Sequence, residues 1–227
     1  MSTTRINAIT LLKRRPDLSA DEFQDYWRNR HAEVIAKLPG VERYVQSHPL
    51  AEIYADDEPV YDGVAELWAK DSQAFRDIGA SEAYAAVQAD EENFLDRKAI
   101  ALVLTDEHIL KEGPIAAEGV KCIRIFRRRQ DLTLEDFQTY WRERHGALVA
   151  AIPGLERYAQ YPARAGAYAS GRQPACDGFD MSWFGSLDAW RNAMNSAEYL
   201  HARGDDGNFL ATGDCAQIIA REYLCIG

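Results

Sequence analysis

Long apolar runs are missing from this sequence, and so are the short motifs that hold nucleotides or metals. No stretch approaches the roughly 18 consecutive apolar residues that suggest a membrane span, so we expect no membrane partner. The sequence contains no Gly-rich phosphate loop, no nucleophile elbow and no H-E-x-x-H pair. We therefore expect no nucleotide cofactor, no metal and, more broadly, no cofactor at all.

Basic residues are also in the minority. Lys and Arg number 26 against 36 Asp and Glu, which gives a net charge of −10. Nucleic acid needs a basic surface, so we expect no nucleic-acid partner. The opening residues, "MSTTRINAIT", lack the apolar segment of a signal peptide. We expect a cytoplasmic protein.

Cysteines are few and all lie in the second half, at Cys122, Cys176, Cys215 and Cys225. No two of them form a C-x-x-C pair, which argues against a structural zinc site. Disulfides are uncommon in cytoplasmic chains. We expect buried thiols that pack as small hydrophobic side chains.

The chain repeats itself. The segment "DYWRNRHAEVIAKLPGVERYVQSH" recurs as "TYWRERHGALVAAIPGLERYAQYP", so that His31 corresponds to His145, 114 residues later. After one inserted residue the offset becomes 115, and Asp62 corresponds to Asp177. A repeat that continues to the end of the chain indicates two whole domains. The predicted divisions are a domain over 1–107, a linker over 108–118 with its Gly-Pro breaker, and a domain over 119–227.

Both copies predict the same order of elements. Residues 5–13 are apolar and β-branched enough for a strand, and Ser19 begins a capping box for a helix through about Leu38. "VERYVQSH" and residues 60–68 are predicted as strands, residues 72–95 as two helical pieces, and "AIALVLT" as the last strand. This order is the β-α-β-β-α-β motif, a four-stranded sheet with both helices on one side.

The predicted strands carry apolar residues on both faces, and a bare apolar sheet face must find a partner. Two copies in one chain would supply it. The predicted fold class is therefore α+β, with two tandem ferredoxin-like (βαββαβ) domains whose sheets close into one pseudo-dimeric α/β barrel. Whether two such chains also form a further homodimer stays open.

Several segments resemble the EthD domain of the dimeric α/β-barrel superfamily. In the first copy these are "RRPDLSADEFQDYWRNRHAEVIAKLPGVERYVQSH", "YDGVAELW" and "DEENFLD". In the second they are "RRQDLTLEDFQTYWRERHGALVAAIPGLERY", "CDGFDMSWF" and "DDGNFL". Relatives with this barrel include methylmuconolactone isomerases, polyketide cyclases, cofactor-free monooxygenases and haem-degrading enzymes. The resemblance implies a fused version of a dimer, with a pocket between sheet and helices in each half.

His31 is the first candidate for catalysis. It lies on the stripe of the first helix that should pack on the sheet, beside Trp27. From the residues alone it could be a core histidine bonded to a backbone carbonyl. The resemblance implies instead that it points into the pocket, where an imidazole suits general acid–base chemistry.

The other candidates follow from strand patterns. Tyr44, Gln46 and His48 share a face of the second strand; Tyr44 could hold a substrate oxygen or only pack, and His48 could be the partner acid or a solvated strand end. Asp62 could fix a histidine tautomer or bond nearby backbone. The substrate-binding candidates are Trp27, Gln46, Glu66, Trp68, His145 and Asp177.

The copies differ, because His48 becomes Pro162 and Glu66 becomes Met181. We expect the first pocket to keep the acid–base set and the second to be drier. The predicted function is histidine-assisted proton transfer, by isomerisation, cyclisation or elimination, on a small aromatic, lactone or polyketide-like compound. A lyase or isomerase is thus favoured over the alternatives, an EthD-type oxidoreductase or cofactor-free monooxygenase and a non-catalytic binding or stress protein.

Overall fold

The computed structural model describes residues 6–54, 57–211, 213 and 215–227. They fall into two compact units. The first comprises Met1–Asp106 together with Glu222–Gly227, and the second comprises Glu107–Arg221. Residue 5 of the predicted first strand lies outside the described residues.

The first unit has the predicted β-α-β-β-α-β order. Its strands pair antiparallel in the order β4-β1-β3-β2. The first helical region is continuous, with a π-helical segment between two α-helical pieces. The elements are β1 (Ile6–Leu12), α1 (Ala20–Asp25), the π-helical Tyr26–His31, α2 (Ala32–Ile35), β2 (Val41–Pro49), a 3₁₀ turn (Ala51–Ile53), β3 (Gly63–Ala69), α3 (Ser72–Gly79), α4 (Glu82–Glu91) and β4 (Ala101–Asp106).

The second unit repeats this order. Its strands pair antiparallel in the order β9-β6-β8-β7-β5. The elements are β5 (His108–Lys111), β6 (Val120–Phe126), α5 (Leu134–Tyr140), the π-helical Trp141–His145, α6 (Gly146–Ala150), β7 (Leu155–Pro162), a 3₁₀ segment (Ala165–Gly171), β8 (Gly178–Phe184), α7 (Leu187–Met194), α8 (Ala197–Asp205), a 3₁₀ turn (Asp206–Asn208) and β9 (Ala216–Ile226).

The predicted fold class, α+β with two tandem ferredoxin-like units, is confirmed. The boundaries differ in two places. The predicted linker 108–118 begins with β5, which pairs with β7, because a short extended segment can add its backbone hydrogen bonds to the open edge of that strand. The final residues, Glu222–Gly227, belong to the first unit, where Tyr223 packs edge-on against His48.

Local sequence explains how the first helix begins and why it lies where it does. Ser19 accepts the backbone N–H of Glu22 while the Glu22 side chain accepts the backbone N–H of Ser19, a complete capping box. Phe23 and Trp27, one turn apart, are fully buried against the sheet. Trp27 lies so close to Gly63 that a Cβ there would overlap its ring, which explains the repeated Asp-Gly pair at the start of the third strand.

Cysteine burial follows the expectation in part. None of the four cysteines is in a disulfide; Cys122 and Cys176 are buried and Cys225 is half-buried. Cys215 is exposed, because it lies in the loop before β9 rather than in a strand.

Candidate active site

A cavity of about 460 Å³ lies between the sheet and the helices of the first unit. Its volume is within the range of small-molecule sites, roughly 300–1,000 Å³. Most of the side chains around it are aliphatic or aromatic, for example Leu12, Ile35, Leu67, Phe75 and Val87. The wall also carries a few polar side chains: Thr10, His31, Tyr44, Tyr84, Gln88, Glu91 and Arg97.

His31 is held by a carboxylate. Its Nδ1 lies 2.7 Å from Oδ2 of Asp90 at the end of α4, and its ring packs against Phe94. The hydroxyl of Tyr26 donates to the other oxygen of Asp90, at 2.8 Å. With a carboxylate as acceptor, Nδ1 carries the ring proton and Nε2 keeps a free lone pair. Nε2 makes no hydrogen bond with the described residues.

Burial lowers the pKa of His31. The hydrogen bond and the charge of Asp90 act in the opposite direction, but the net shift is downward. The neutral imidazole is therefore the dominant form at neutral pH. Burial also raises the pKa of Glu91 on the cavity wall; Arg97 opposes this shift and the charge of Asp90 adds to it. The cavity thus pairs a neutral base with a carboxyl group that protonates more readily than usual.

Tyr44 belongs to a second polar group on the same wall. Its hydroxyl oxygen accepts hydrogen bonds from Trp27 Nε1 at 3.0 Å and from Gln46 Nε2 at 3.2 Å. Burial raises the pKa of Tyr44, so the hydroxyl stays protonated. Gln46 also donates to the backbone oxygen of Trp27, at 2.8 Å. The network fixes both the Trp27 ring and the Tyr44 hydroxyl.

His48 lies behind this network, and it is not among the residues that line the cavity. Its Nε2 lies 2.9 Å from Oε1 of Gln46, and its ring stacks on Trp27 with centroids 4.3 Å apart. Burial, with the charge of Arg28, lowers the pKa of His48 to about 3. The role predicted for His48, acid or partner of His31, is therefore wrong: it is a neutral support for Trp27 and Gln46.

The carboxylate of Asp62 bonds to Arg14 and Lys13 and to no histidine among the described residues. Its carboxylate accepts the backbone N–H of Arg14 at 2.9 Å and forms ion pairs with the Arg14 guanidinium and with Lys13. The prediction that Asp62 fixes a histidine tautomer is wrong; the alternative, bonding to nearby backbone, is the one observed. Asp177 repeats this arrangement with Arg128.

Glu66 and Trp68 lie on the other face of β3. Ala65 and Leu67 line the cavity, and side chains alternate along a strand, so their neighbours point away from the helices. Glu66 is buried within hydrogen-bond distance of Ser47, and the guanidinium of Arg43 lies over the Trp68 ring. Their predicted role in substrate binding in this cavity is wrong.

The second unit repeats the histidine pair but not the open lone pair. His145 Nδ1 lies 3.0 Å from Asp205, while Arg203 Nη2 lies 3.4 Å from His145 Nε2. The prediction of a drier second pocket rested on Met181, which lies on the strand face that Glu66 occupies in the first unit and not on the helix side. On the helix side, Arg124 is paired with Asp180 at 3.4 Å and with Asp206 at 2.7 Å.

Sequence reasoning missed Asp90, Glu91, Arg124 and Asp180. The first of these had a signal, because Asp90 and Asp205 are separated by 115 residues, as the repeat requires. Arg124 and Asp180 could have been noticed as opposite charges in apolar strands that lie opposite each other in the predicted sheet. Glu91 had no signal, since adjacent acidic residues at a helix end are common on surfaces.

Two further observations bear on ligands and surroundings. Within the described residues, no group of three or more His, Cys, Asp or Glu side chains is arranged to hold a metal ion. None of the helices in the described part of the chain combines the length and apolar composition needed to cross a bilayer.

Comparison with known proteins identifies the repeated domain. The family model of the EthD domain matches residues 15–98 and again 129–213, together more than half of the chain. No curated protein matches the sequence.

Solved structures show the same fold over nearly the whole chain. An anthrone oxidase-like protein is similar with a TM-score of 0.70 and 11% identity over 99% of this chain and 94% of its own. A candidate monooxygenase from Fusobacterium nucleatum is similar with a TM-score of 0.64 and 8% identity, over 99% of this chain and 95% of its own. A candidate monooxygenase from Lactobacillus acidophilus is similar with a TM-score of 0.59 and 11% identity, over 98% of this chain and 96% of its own. At such identities the likeness shows the fold alone.

Proposed function

Since the chain belongs to the EthD family, we propose that it is a small-molecule enzyme whose first unit removes a proton from an aromatic or otherwise apolar substrate. One observation carries this proposal: His31, held by Asp90, lies on the wall of an apolar cavity of about 460 Å³. A neutral imidazole with a free nitrogen beside an apolar cavity is suited to general base catalysis.

The proposed step assigns a role to each residue of the pair. Nε2 of His31 takes a proton from an acidic C–H or a phenolic O–H of the substrate. Asp90 accepts the Nδ1 hydrogen bond, which fixes the tautomer and stabilises the imidazolium that forms. The substrate is left as an enolate or phenolate, which the enzyme can protonate at another atom or from which a leaving group can depart. Isomerisation, cyclisation and elimination all follow from this one intermediate, without a cofactor.

A second candidate is a cofactor-free monooxygenase. Whole-chain similarity to two candidate monooxygenases and an anthrone oxidase-like protein favours it. The same anion would then give electrons to O₂; one oxygen atom would enter the substrate as a carbonyl and the other would leave as water. The first step is identical in both cases, so His31 has the same role.

Two measurements test the proposal. The protein would be incubated in D₂O with aromatic ketones, lactones, phenols and hydroquinones, and loss of acidic C–H signals would be followed by proton NMR. Dissolved oxygen would be recorded in parallel. Exchange without oxygen uptake supports proton transfer, and uptake supports the monooxygenase. If neither reaction occurs with any of these compounds, the chain is better described as a binding protein; if a reaction occurs and His31→Gln does not slow it, His31 is not the base.

A further inference from the structure

The two units differ at one matched pair of strand positions. In the first unit, Thr10 on β1 lies opposite Ala65 on β3. In the second unit, the same register places Arg124 on β6 opposite Asp180 on β8. Both pairs lie on the helix side of their sheets, so a small polar pair in one unit is replaced by a charged pair in the other.

In the second unit, the Asp180 carboxylate accepts hydrogen bonds from three neighbouring side chains. Oδ1 accepts from the Tyr158 hydroxyl at 2.5 Å and from Trp141 Nε1 at 3.0 Å. Oδ2 accepts from Arg124 at 3.4 Å. An anionic oxygen at this position is therefore bound by a phenol O–H and an indole N–H.

The first unit keeps the two donors and lacks the acceptor. Tyr44 and Trp27 occupy the positions of Tyr158 and Trp141, but Ala65 has no oxygen to offer. Trp27 Nε1 donates to the Tyr44 oxygen instead, at 3.0 Å, and Gln46 donates to the same oxygen. A phenol oxygen has two lone pairs and one hydrogen. Both lone pairs are thus occupied, and the hydrogen has no acceptor among the described residues.

Because Tyr44 and Ala65 both line the cavity, the unused hydrogen of Tyr44 is available to a ligand there. We propose that the first unit binds a carbonyl oxygen of its substrate where the Asp180 carboxylate lies in the second unit, with the Tyr44 hydroxyl as the donor and Trp27 Nε1 beside it. This rests on the proposed function, since it names the substrate class of the same cavity: aromatic ketones with a C–H next to the carbonyl.

The chemistry of the step agrees with this subsite. When His31 removes the proton next to the carbonyl, negative charge moves onto the carbonyl oxygen and its hydrogen bonds strengthen. The second unit shows that the same donors accommodate a full negative charge. Thr10 replaces Arg124, however, so the first unit has no cation at this strand position, and the guanidinium of Arg97 elsewhere on the wall is opposed by the carboxyl group of Glu91. The subsite therefore favours neutral ketones over carboxylates.

Binding to the full-length protein tests the subsite without turnover. The probes are 1-tetralone, its oxygen-free analogue tetralin and the carboxylate 1-naphthoate, compared by isothermal titration calorimetry. One well-formed hydrogen bond in a cavity corresponds to a preference of about tenfold for tetralone over tetralin. The infrared carbonyl band of bound tetralone should move to lower frequency than in an apolar solvent. Equal affinity for tetralone and tetralin, or tighter binding of naphthoate, would overturn the proposal.

Variants place the effect on Tyr44. Tyr44→Phe should remove most of the tetralone preference and the carbonyl band shift, while tetralin binding stays within about threefold. The matched variant Tyr158→Phe should change neither. If Tyr44→Phe retains both the preference and the shift, the assignment is wrong.

A second variant remains informative if Tyr44→Phe does not fold. The double variant Thr10→Arg with Ala65→Asp rebuilds the ion pair of the second unit and should abolish tetralone binding in a folded protein; retained binding overturns the proposal. The two experiments distinguish an error in the proposed subsite from an error in the proposed base. Loss of the tetralone preference with intact hydrogen exchange removes only the subsite, and intact preference without exchange removes only the proposed reaction.

Discussion

The Nδ1 atom of His31 lies 2.7 Å from the Asp90 carboxylate, and the same pair recurs as His145 and Asp205 at 3.0 Å. In each unit the imidazole also packs on a phenylalanine, with centroids less than 5 Å apart. The pair thus belongs to the fold of both copies. Its surroundings differ: the first faces a cavity, and the second faces an arginine.

Replacement of the base should separate the two copies. His31→Gln should slow exchange of the substrate C–H by about 10²–10⁴, the usual contribution of a general base. His145→Gln is the matched control, and it should change the exchange rate by less than about threefold because Arg203 already covers its Nε2. The measurement is the NMR exchange rate, with thermal melts to confirm folding. Loss of exchange in His145→Gln together with a normal exchange rate in His31→Gln would place the reaction in the second unit.

The carboxylate behind the base should control its pKa. The exchange rate should rise with pH as His31 loses its proton and reach a plateau, with a midpoint below the ordinary imidazole value of about 6.5, because burial lowers the pKa of His31. Asp90→Asn removes the interaction that raises this pKa, so the midpoint should fall further while the plateau drops by about 10² or more. Asp205→Asn should leave the profile unchanged. A midpoint that moves upward in Asp90→Asn would contradict this account.

The buried His48 should make stability depend on pH. Burial lowers its pKa to about 3 in the folded chain, whereas the unfolded chain has a value near 6.5. The unfolded state therefore binds more protons between these values, and stability is lost as pH falls. The contribution of His48 should decrease by about 2 kcal/mol between about pH 6.5 and pH 5.

Denaturant unfolding of the native protein and of His48→Gln at both pH values isolates this effect. Both proteins contain the same carboxyl groups, so the titration of those groups cancels when the two are compared. The variant should show the smaller loss of stability on acidification. Parallel pH dependence in the two proteins would mean that His48 is not the group responsible.

The first unit should not be independent of the end of the chain. A fragment of residues 1–107 lacks Tyr223, which packs on His48 and lies under the Arg28 guanidinium, and it lacks Cys225 and Ile226, which pack on the core. Its exposed apolar surface should cause association. Size-exclusion chromatography with light scattering measures this, with the full chain as control. A monodisperse, stable 1–107 monomer would contradict the expectation.

Sequence was sufficient for the architecture because the architecture depends on local and repeated patterns. The 114-residue repeat, the capping box at Ser19 and the alternation of the strands predicted two βαββαβ units, and these are observed. The same patterns identified Trp27, His31 and Tyr44, which do meet at one cavity. A helix stripe and a strand face are set by periodicity, so the residues on them can be assigned from the chain alone.

What the sequence could not decide was which strand face meets the helices and which charges find each other. Asp62 and Glu66 were equally plausible as cavity residues, yet one pairs with Arg14 and the other lies on the far face of β3. Asp90 reaches His31 across 59 residues, and no local pattern encodes that distance. Periodicity fixes the relative direction of neighbouring side chains, but the contacts of a buried charge depend on how separate elements pack, which only the tertiary structure determines.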